Sequence, residues 1–249
     1  MFYFDNFFGK KILKSTLLKD YDCFFTTRDF ILTPASLTEL KQEAENNREF
    51  LKNKLNCETI NTAKQVHGSN IEIVTENKTF YDNTDAMISN TENSLMLMNF
   101  ADCTPVIIYS KKDNAGAIVH AGWRGTAAEI VLKTVEKMKT ELNLQPKNIT
   151  ALIGPAIGKC CFETGEEVFN QLIKDKSQTD LYNKKGEKYF IDLKQLNYNQ
   201  LVLSGVTDID ICAYCTFCMS DIFFSYRKEK GMTARHSAVV KIRGDKICQ

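Results

Sequence analysis

Residues 115–129 read Ala115-Gly116-Ala117-Ile118-Val119-His120-Ala121-Gly122-Trp123-Arg124-Gly125-Thr126-Ala127-Ala128-Glu129. The segment 115–120 is an apolar run of strand length. Gly122 and Gly125 mark a turn. Thr126-Ala127-Ala128-Glu129 has the spacing of a capping box, in which both side chains satisfy free N–H groups at a helix start. Val131, Val135, Met138 and Leu142 then recur on one helical face, and Pro146 lies past its end. Strand, glycine turn and helix in succession put His120 at a strand's C-terminal end beside a helix N-terminus. That is where α/β units bind ligands and anions.

Outward from this unit the order of elements is mixed. Residues 24–27, 71–74, 94–100, 106–109, 149–153, 209–213, 223–226 and 237–242 read as strands. Ser36-Leu37-Thr38-Glu39 is another capping-box pattern, followed by Leu37, Leu40, Ala44, Leu51 and Leu55 on one face. Thr164-Gly165-Glu166-Glu167 opens a further helix, and residues 192–204 form one closed by Gly205. The lysine-rich stretch 174–188 reads as a solvated loop. There is no internal repeat, low-complexity tract or proline-rich linker. The expected fold is α+β: a single compact domain over residues 1–249, with a mixed β-sheet packed by helices.

Hydrophobic residues make up 43% of the chain and charged residues 25%, with a net charge of +1. That balance argues against a nucleic-acid groove and against an anionic membrane surface as partners. Residues 1–8 are aromatic but lack the basic start and apolar stretch of a signal peptide. No apolar run is long enough to span a bilayer. The expected location is the cytoplasm, with the nine cysteines reduced. An odd number also fits a full disulfide framework poorly.

The chain has three histidines. His67 sits in Gln65-Val66-His67-Gly68 and His120 in the segment above. Between them lies Ala101-Asp102-Cys103-Thr104-Pro105. Two imidazoles and a thiolate are good zinc ligands, and three protein ligands leave a fourth position open for water or substrate. Singly, each residue also reads as structural: a turn cap, a packed ring, a buried thiol. What joins them is a shared setting beside a strand, next to glycine or proline. Asp102 could orient a ligand, move protons or cap a turn. Cys212, Cys215 and Cys218 have two overlapping CxxC spacings that suit a second metal, with Cys160, Cys161, Cys248 or His236 as fourth ligand. They equally suit small residues packed in a strand and loop. Arg28, Arg124, Arg227 and Arg235 are the candidates for holding an anion; Arg124 stands out because its turn precedes a helix. Trp123 could stack on a base or simply pack.

These strings, together with Phe24-Phe25-Thr26-Thr27-Arg28, Thr84-Asp85-Ala86-Met87-Ile88, Ile153-Gly154-Pro155-Ala156-Ile157-Gly158 and Phe223-Phe224-Ser225-Tyr226-Arg227, resemble the laccase-domain family. It is also called multicopper polyphenol oxidase or YfiH-like, and is more recently described as purine nucleoside phosphorylases. The resemblance implies a zinc held by His67, Cys103 and His120. It implies catalytic roles for those residues and Asp102, and contacts to purine nucleosides and phosphate from Arg28, Gln65, Arg124 and Arg227. The implied reactions are phosphorolysis of adenosine, inosine, guanosine and methylthioadenosine, plus adenosine deamination. Some relatives are linked instead to editing of peptidoglycan precursors. This chain departs from the family pattern at Asp29-Phe30-Ile31-Leu32, at Phe162 where a tyrosine is usual, and at Ala234 before Arg235 where a glycine is usual. The multicopper label fails a count: a trinuclear copper centre needs many imidazoles in His-x-His pairs, and three histidines without such a pair do not suffice. Two other readings stand beside the phosphorylase: a cysteine hydrolase with Cys103 as nucleophile and His67 or His120 as base, and a binding or regulatory module whose metal is structural. The number of subunits is not legible in the chain.

Overall fold

None of the residues of the strands Thr104–Ser110, Ala115–Ala121 and Ile149–Ile153 is exposed. Strands apolar on both faces belong in the middle of a layered fold. In the computed structural model, which describes residues 1–244, they are neighbours in a six-stranded mixed sheet. Its order is Asp208–Ile211, Ile149–Ile153, Thr104–Ser110, Ala115–Ala121, Ala86–Ser89, Ile71–Ile73. A seven-stranded sheet runs Phe2–Phe7, Lys10–Ser15, Cys23–Thr26, His236–Lys241, Leu95–Phe100, Asn61–Ala63, Phe80–Tyr81.

The two sheets face each other. Phe25, Met98 and Val240 of one pack with Met87, Ile107, Ile118 and Leu152 of the other. On the outer face of the seven-stranded sheet, helix Lys41–Leu55 presses Leu51 and Leu55 onto Phe24, Leu97 and Val239. On the outer face of the other, helices Ile130–Leu142 and Leu193–Leu203 bring Val131, Val135, Met138 and Leu201 against Val106, Ile108 and Val119. The result is a helix–sheet–sheet–helix stack in one compact domain, the α+β class expected, with strands divided among three sheets. The third and smallest has the order Glu163–Thr164, Lys188–Ile191, Tyr182–Lys185. No described helix is long and apolar enough to cross a membrane.

Four local expectations need correction. Part of the lysine-rich stretch is a hairpin, Tyr182–Lys185 with Lys188–Ile191. Its buried Tyr189 stacks on Phe169 at 3.9 Å, so aromatic packing outweighs the solvated lysines. Residues 223–226 are not a strand: the Phe223 N–H bonds back to the Met219 carbonyl in a turn, and its ring packs near Tyr214 and His236. Neither predicted capping box forms. Ser36 accepts from the Thr233 N–H and donates to its carbonyl, and the helix starts only at Lys41 after a tight turn. Thr126 lies inside a short helix, Trp123–Ala127, with its hydroxyl beside Asn197. Glu129, at φ 60°, separates that helix from the next at Ile130. The N-terminal hairpin Phe2–Phe7 and Lys10–Ser15, turning at Phe8 and Gly9 with positive φ, had no expectation.

Candidate metal centre and cleft

The antiparallel register pairs His120 with Pro105 and Ala121 with Thr104. It therefore sets Cys103, one residue before its strand, beside the Gly122 turn. A Cβ on Gly122 would lie 3.2 Å from the Cys103 Sγ and 3.2 Å from the His67 Cδ2. Glycine is what lets the three side chains close up. His67 arrives on a loop at φ 63°, and one ligand atom each from His67, Cys103 and His120 lies within 4.8 Å of the others.

Asp85 organises the group. Its Oδ1 accepts from the His67 N–H at 3.0 Å and from the His120 ring at Nδ1, 2.8 Å away. Its Oδ2 accepts from the N–H groups of Gly68 at 2.7 Å and Val66 at 3.4 Å. With Nδ1 so engaged, Nε2 is the His120 atom left to act as a ligand. Burial would raise the Asp85 pKa, but the His120 hydrogen bond and charge and the backbone N–H groups outweigh it and hold the carboxyl below the usual range. Burial would likewise raise the Cys103 thiol; the charge and hydrogen bond of His120, aided by His67, bring it down to about 6. For His120 burial lowers the pKa, and Cys103 and Asp85 overcome it, raising it to about 9. An anionic sulfur, two imidazoles and a buried carboxylate behind one of them form a donor set that fits a divalent zinc-like cation.

This group sits in the floor of a cleft of about 590 Å³, a size that suits a small-molecule ligand. Arg124, Arg227 and Arg235 line it, as do the rings of Trp123, Phe162 and Tyr226. The Arg124 guanidinium lies 4.2 Å from the Trp123 ring. The Arg227 side chain donates to the Glu163 carbonyl, and its backbone N–H donates to Asp102 Oδ2 at 2.7 Å. Asp102, at φ 84°, also accepts from the Thr216 hydroxyl at 2.7 Å. Gln65 lines the cleft, but its amide is used by the Asn99 backbone: Nε2 donates to the carbonyl at 2.7 Å and Oε1 accepts from the N–H at 2.9 Å. The cleft lining does not include Arg28. Its guanidinium donates to the Ser220 and Phe223 carbonyls, pairs with Glu229 and covers the Phe224 ring.

The residue that sequence reasoning missed is Asp85; Gly122 marks its turn in the sequence, but its place between the Cys103 and His67 side chains shows only in the fold. Asp85 stands in Thr84-Asp85-Ala86 at a strand entrance, an acidic residue where a buried strand begins, and that is its only signal in the sequence. His236 is fully buried near Phe100 and Phe223, with no hydrogen-bond partner for either ring nitrogen among the described residues. Only His67 and His120 thus meet, too few imidazoles for a trinuclear copper cluster.

A family model described as multi-copper polyphenol oxidoreductase laccase matches residues 35–243. A purine nucleoside phosphorylase of Clostridium acetobutylicum is 34% identical over 229 residues, 88% of this chain and 93% of that protein. The purine nucleoside phosphorylase YfiH of Escherichia coli is 34% identical over 168 residues, 67% and 68% of the two chains. A Bacteroides thetaiotaomicron relative named purine nucleoside phosphorylase is 36% identical, over 58% of this chain and 55% of its own. Among solved structures, the hypothetical protein YfiH of Bacillus licheniformis superposes with a TM-score of 0.87 at 26% identity, covering 96% of this chain and 99% of that one. YlmD of Geobacillus stearothermophilus gives 0.86 at 26% identity, covering 96% and 98%. With the family model matched over most of its length, the chain belongs to the family described as multi-copper polyphenol oxidoreductase laccase, whose YfiH and YlmD relatives are named purine nucleoside phosphorylases.

Proposed function

We propose that the protein is a zinc-dependent purine nucleoside phosphorylase that also deaminates adenosine, acting on adenosine, inosine, guanosine and methylthioadenosine in the cytoplasm. The observation that carries this reading is the convergence of His67, Cys103 and His120 on the floor of a cleft that three arginines and three aromatic rings line. The same cleft is what makes a purely structural metal the poorer reading. The names of the relatives point the same way.

His67, Cys103 and His120 would hold the zinc, which when bound supplies Lewis acidity at an open coordination position. Asp85 keeps His120 in the tautomer whose Nε2 is a ligand. Arg124, Arg227 and Arg235 bind and orient phosphate for in-line attack on the ribose C1′, since guanidinium groups match phosphate oxygens. Trp123, Phe162 and Tyr226 offer flat apolar surface to the purine. Cleavage of this bond passes through an oxocarbenium-like state with negative charge growing on the base, and cationic side chains stabilise it. Asp102 acts by position: its carboxylate fixes the Arg227 backbone and its own turn aims Cys103. Gln65 ties the His67 loop to strand Leu95–Phe100, which leads into Cys103. Arg28 supports the wall from outside the cleft.

The test is a phosphate-dependent assay for free base over a nucleoside panel, run with metal analysis on the wild type and on Cys103→Ala and His120→Ala. Loss of one zinc per chain together with loss of base release is the expected result. Undiminished phosphorolysis by variants that have lost this zinc would overturn the reading, and loss of activity only in Cys103→Ala with the zinc content of the wild type would favour Cys103 as a nucleophile.

A further inference from the structure

Outside the cleft, four cysteines from two distant stretches meet near the surface. Cys160 and Cys161 follow Gly158, and Cys215 and Cys218 follow strand Asp208–Ile211. Their four Sγ atoms all lie within 4.8 Å of one another, with Cys160 to Cys218 at 3.8 Å and Cys161 to Cys218 at 3.5 Å. A tetrahedral zinc with Zn–S bonds of about 2.3 Å sets its sulfurs about 3.8 Å apart. The group therefore has the spacing of four corners around one ion, whereas disulfide sulfurs are bonded at about 2.05 Å.

Two further features shape the group. The Gly158 N–H donates to the Cys215 Sγ at 3.2 Å, a bond that favours a thiolate. A Cβ on Gly158 would lie 3.3 Å from both the Cys160 Sγ and the Cys215 Cβ, so a side chain there would crowd the sulfurs. The two stretches are also paired by backbone, through the Ala156–Cys215 bridge and the Thr216 N–H to the Ala156 carbonyl at 3.1 Å.

We propose that Cys160, Cys161, Cys215 and Cys218 form a second metal site that holds a structural zinc ion. Of the ligands the spacing allowed, Cys212 is buried in the core with its N–H bonded to the Ile153 carbonyl, and His236 is enclosed by aromatic rings. Cys248 lies outside the described residues. Binding exchanges four thiol protons for one divalent cation and leaves the complex with two negative charges. All coordination positions are filled by sulfur, so the ion is closed to water and substrate. Four sulfurs converging on one point suit a single ion; an iron–sulfur cluster spreads its thiolates over several irons. The site is a brace. The Ile157 N–H donates to the Asp102 carbonyl and the Thr216 hydroxyl to the Asp102 carboxylate, so the two stapled stretches grip the residue before Cys103.

The test uses the full chain, purified under reducing conditions and loaded with cobalt(II) alone. Wild type should take up two ions per chain. Cys103→Ala should keep one, with the intense absorption of a cobalt tetrathiolate that added zinc bleaches. Adding Cys218→Ser, or separately Cys160→Ser, to that variant should abolish the tetrathiolate spectrum while near-UV circular dichroism reports an intact fold. Absence of cobalt from Cys103→Ala, survival of the spectrum in both serine variants, or peptide mapping that finds disulfides among the four cysteines of the reduced, metal-loaded protein would each overturn the proposal.

Discussion

Replacing Asp85 by asparagine probes the centre without touching a ligand. The side chain keeps its shape but loses its charge, and one oxygen becomes an NH2 donor. In one orientation that NH2 meets the N–H groups of Gly68 and Val66, donors facing a donor. In the other it meets the His120 Nδ1, which must then accept, so the ring's proton moves to Nε2 and blocks ligation. Either way one charge-assisted hydrogen bond is lost inside a buried group, worth about 1.5–3 kcal/mol. At 1.4 kcal/mol per factor of ten, zinc affinity should fall about 10- to 100-fold. Competition against a chelator of known affinity measures it, with base release followed in parallel. Melting of the metal-free proteins separates any loss of fold from loss of ligation. Wild-type zinc affinity and activity in Asp85→Asn would refute the argument that this carboxylate orients His120.

Gly122→Ala should cut zinc affinity with the fold retained, because the new methyl would crowd both Cys103 and His67; zinc content after dialysis against a chelator checks it. Arg124→Ala should raise the KM for phosphate about tenfold and leave metal content unchanged, which steady-state kinetics with varied phosphate will show. His236 should make the protein acid-sensitive. Burial holds its folded pKa down at about 3, against 6.5 for an ordinary imidazole. Its neutral form contributes full stability above 6.5; as pH falls below that value the unfolded chain takes up a proton that the folded chain refuses until about pH 3. The loss is about 2 kcal/mol by pH 5, so His236→Phe should show a shallower fall in urea midpoint between pH 7 and pH 5 than the wild type.

The strand, glycine turn and helix around His120 were legible because each depends on neighbours in the chain: apolar runs, Gly122 and the repeat of Val131, Val135 and Met138. His67, Cys103 and His120 could be picked out because few residue types bind zinc and each stood beside a strand and a backbone-setting residue. Asp85 could not be assigned, since a carboxylate ahead of a strand means nothing until the fold delivers His120 to it. The same holds for the cysteines. Spacing alone favoured Cys212, whereas sheet packing buried it and brought Cys160 and Cys161 to Cys215 and Cys218. Arg28 and Arg235 look alike as arginines in a chain; only tertiary packing put one against Glu229 outside the cleft and the other in its lining. Local pattern determined most of the helices and strands and which side chains are candidates for the chemistry. Contacts between residues far apart in the chain decided which of those side chains meet.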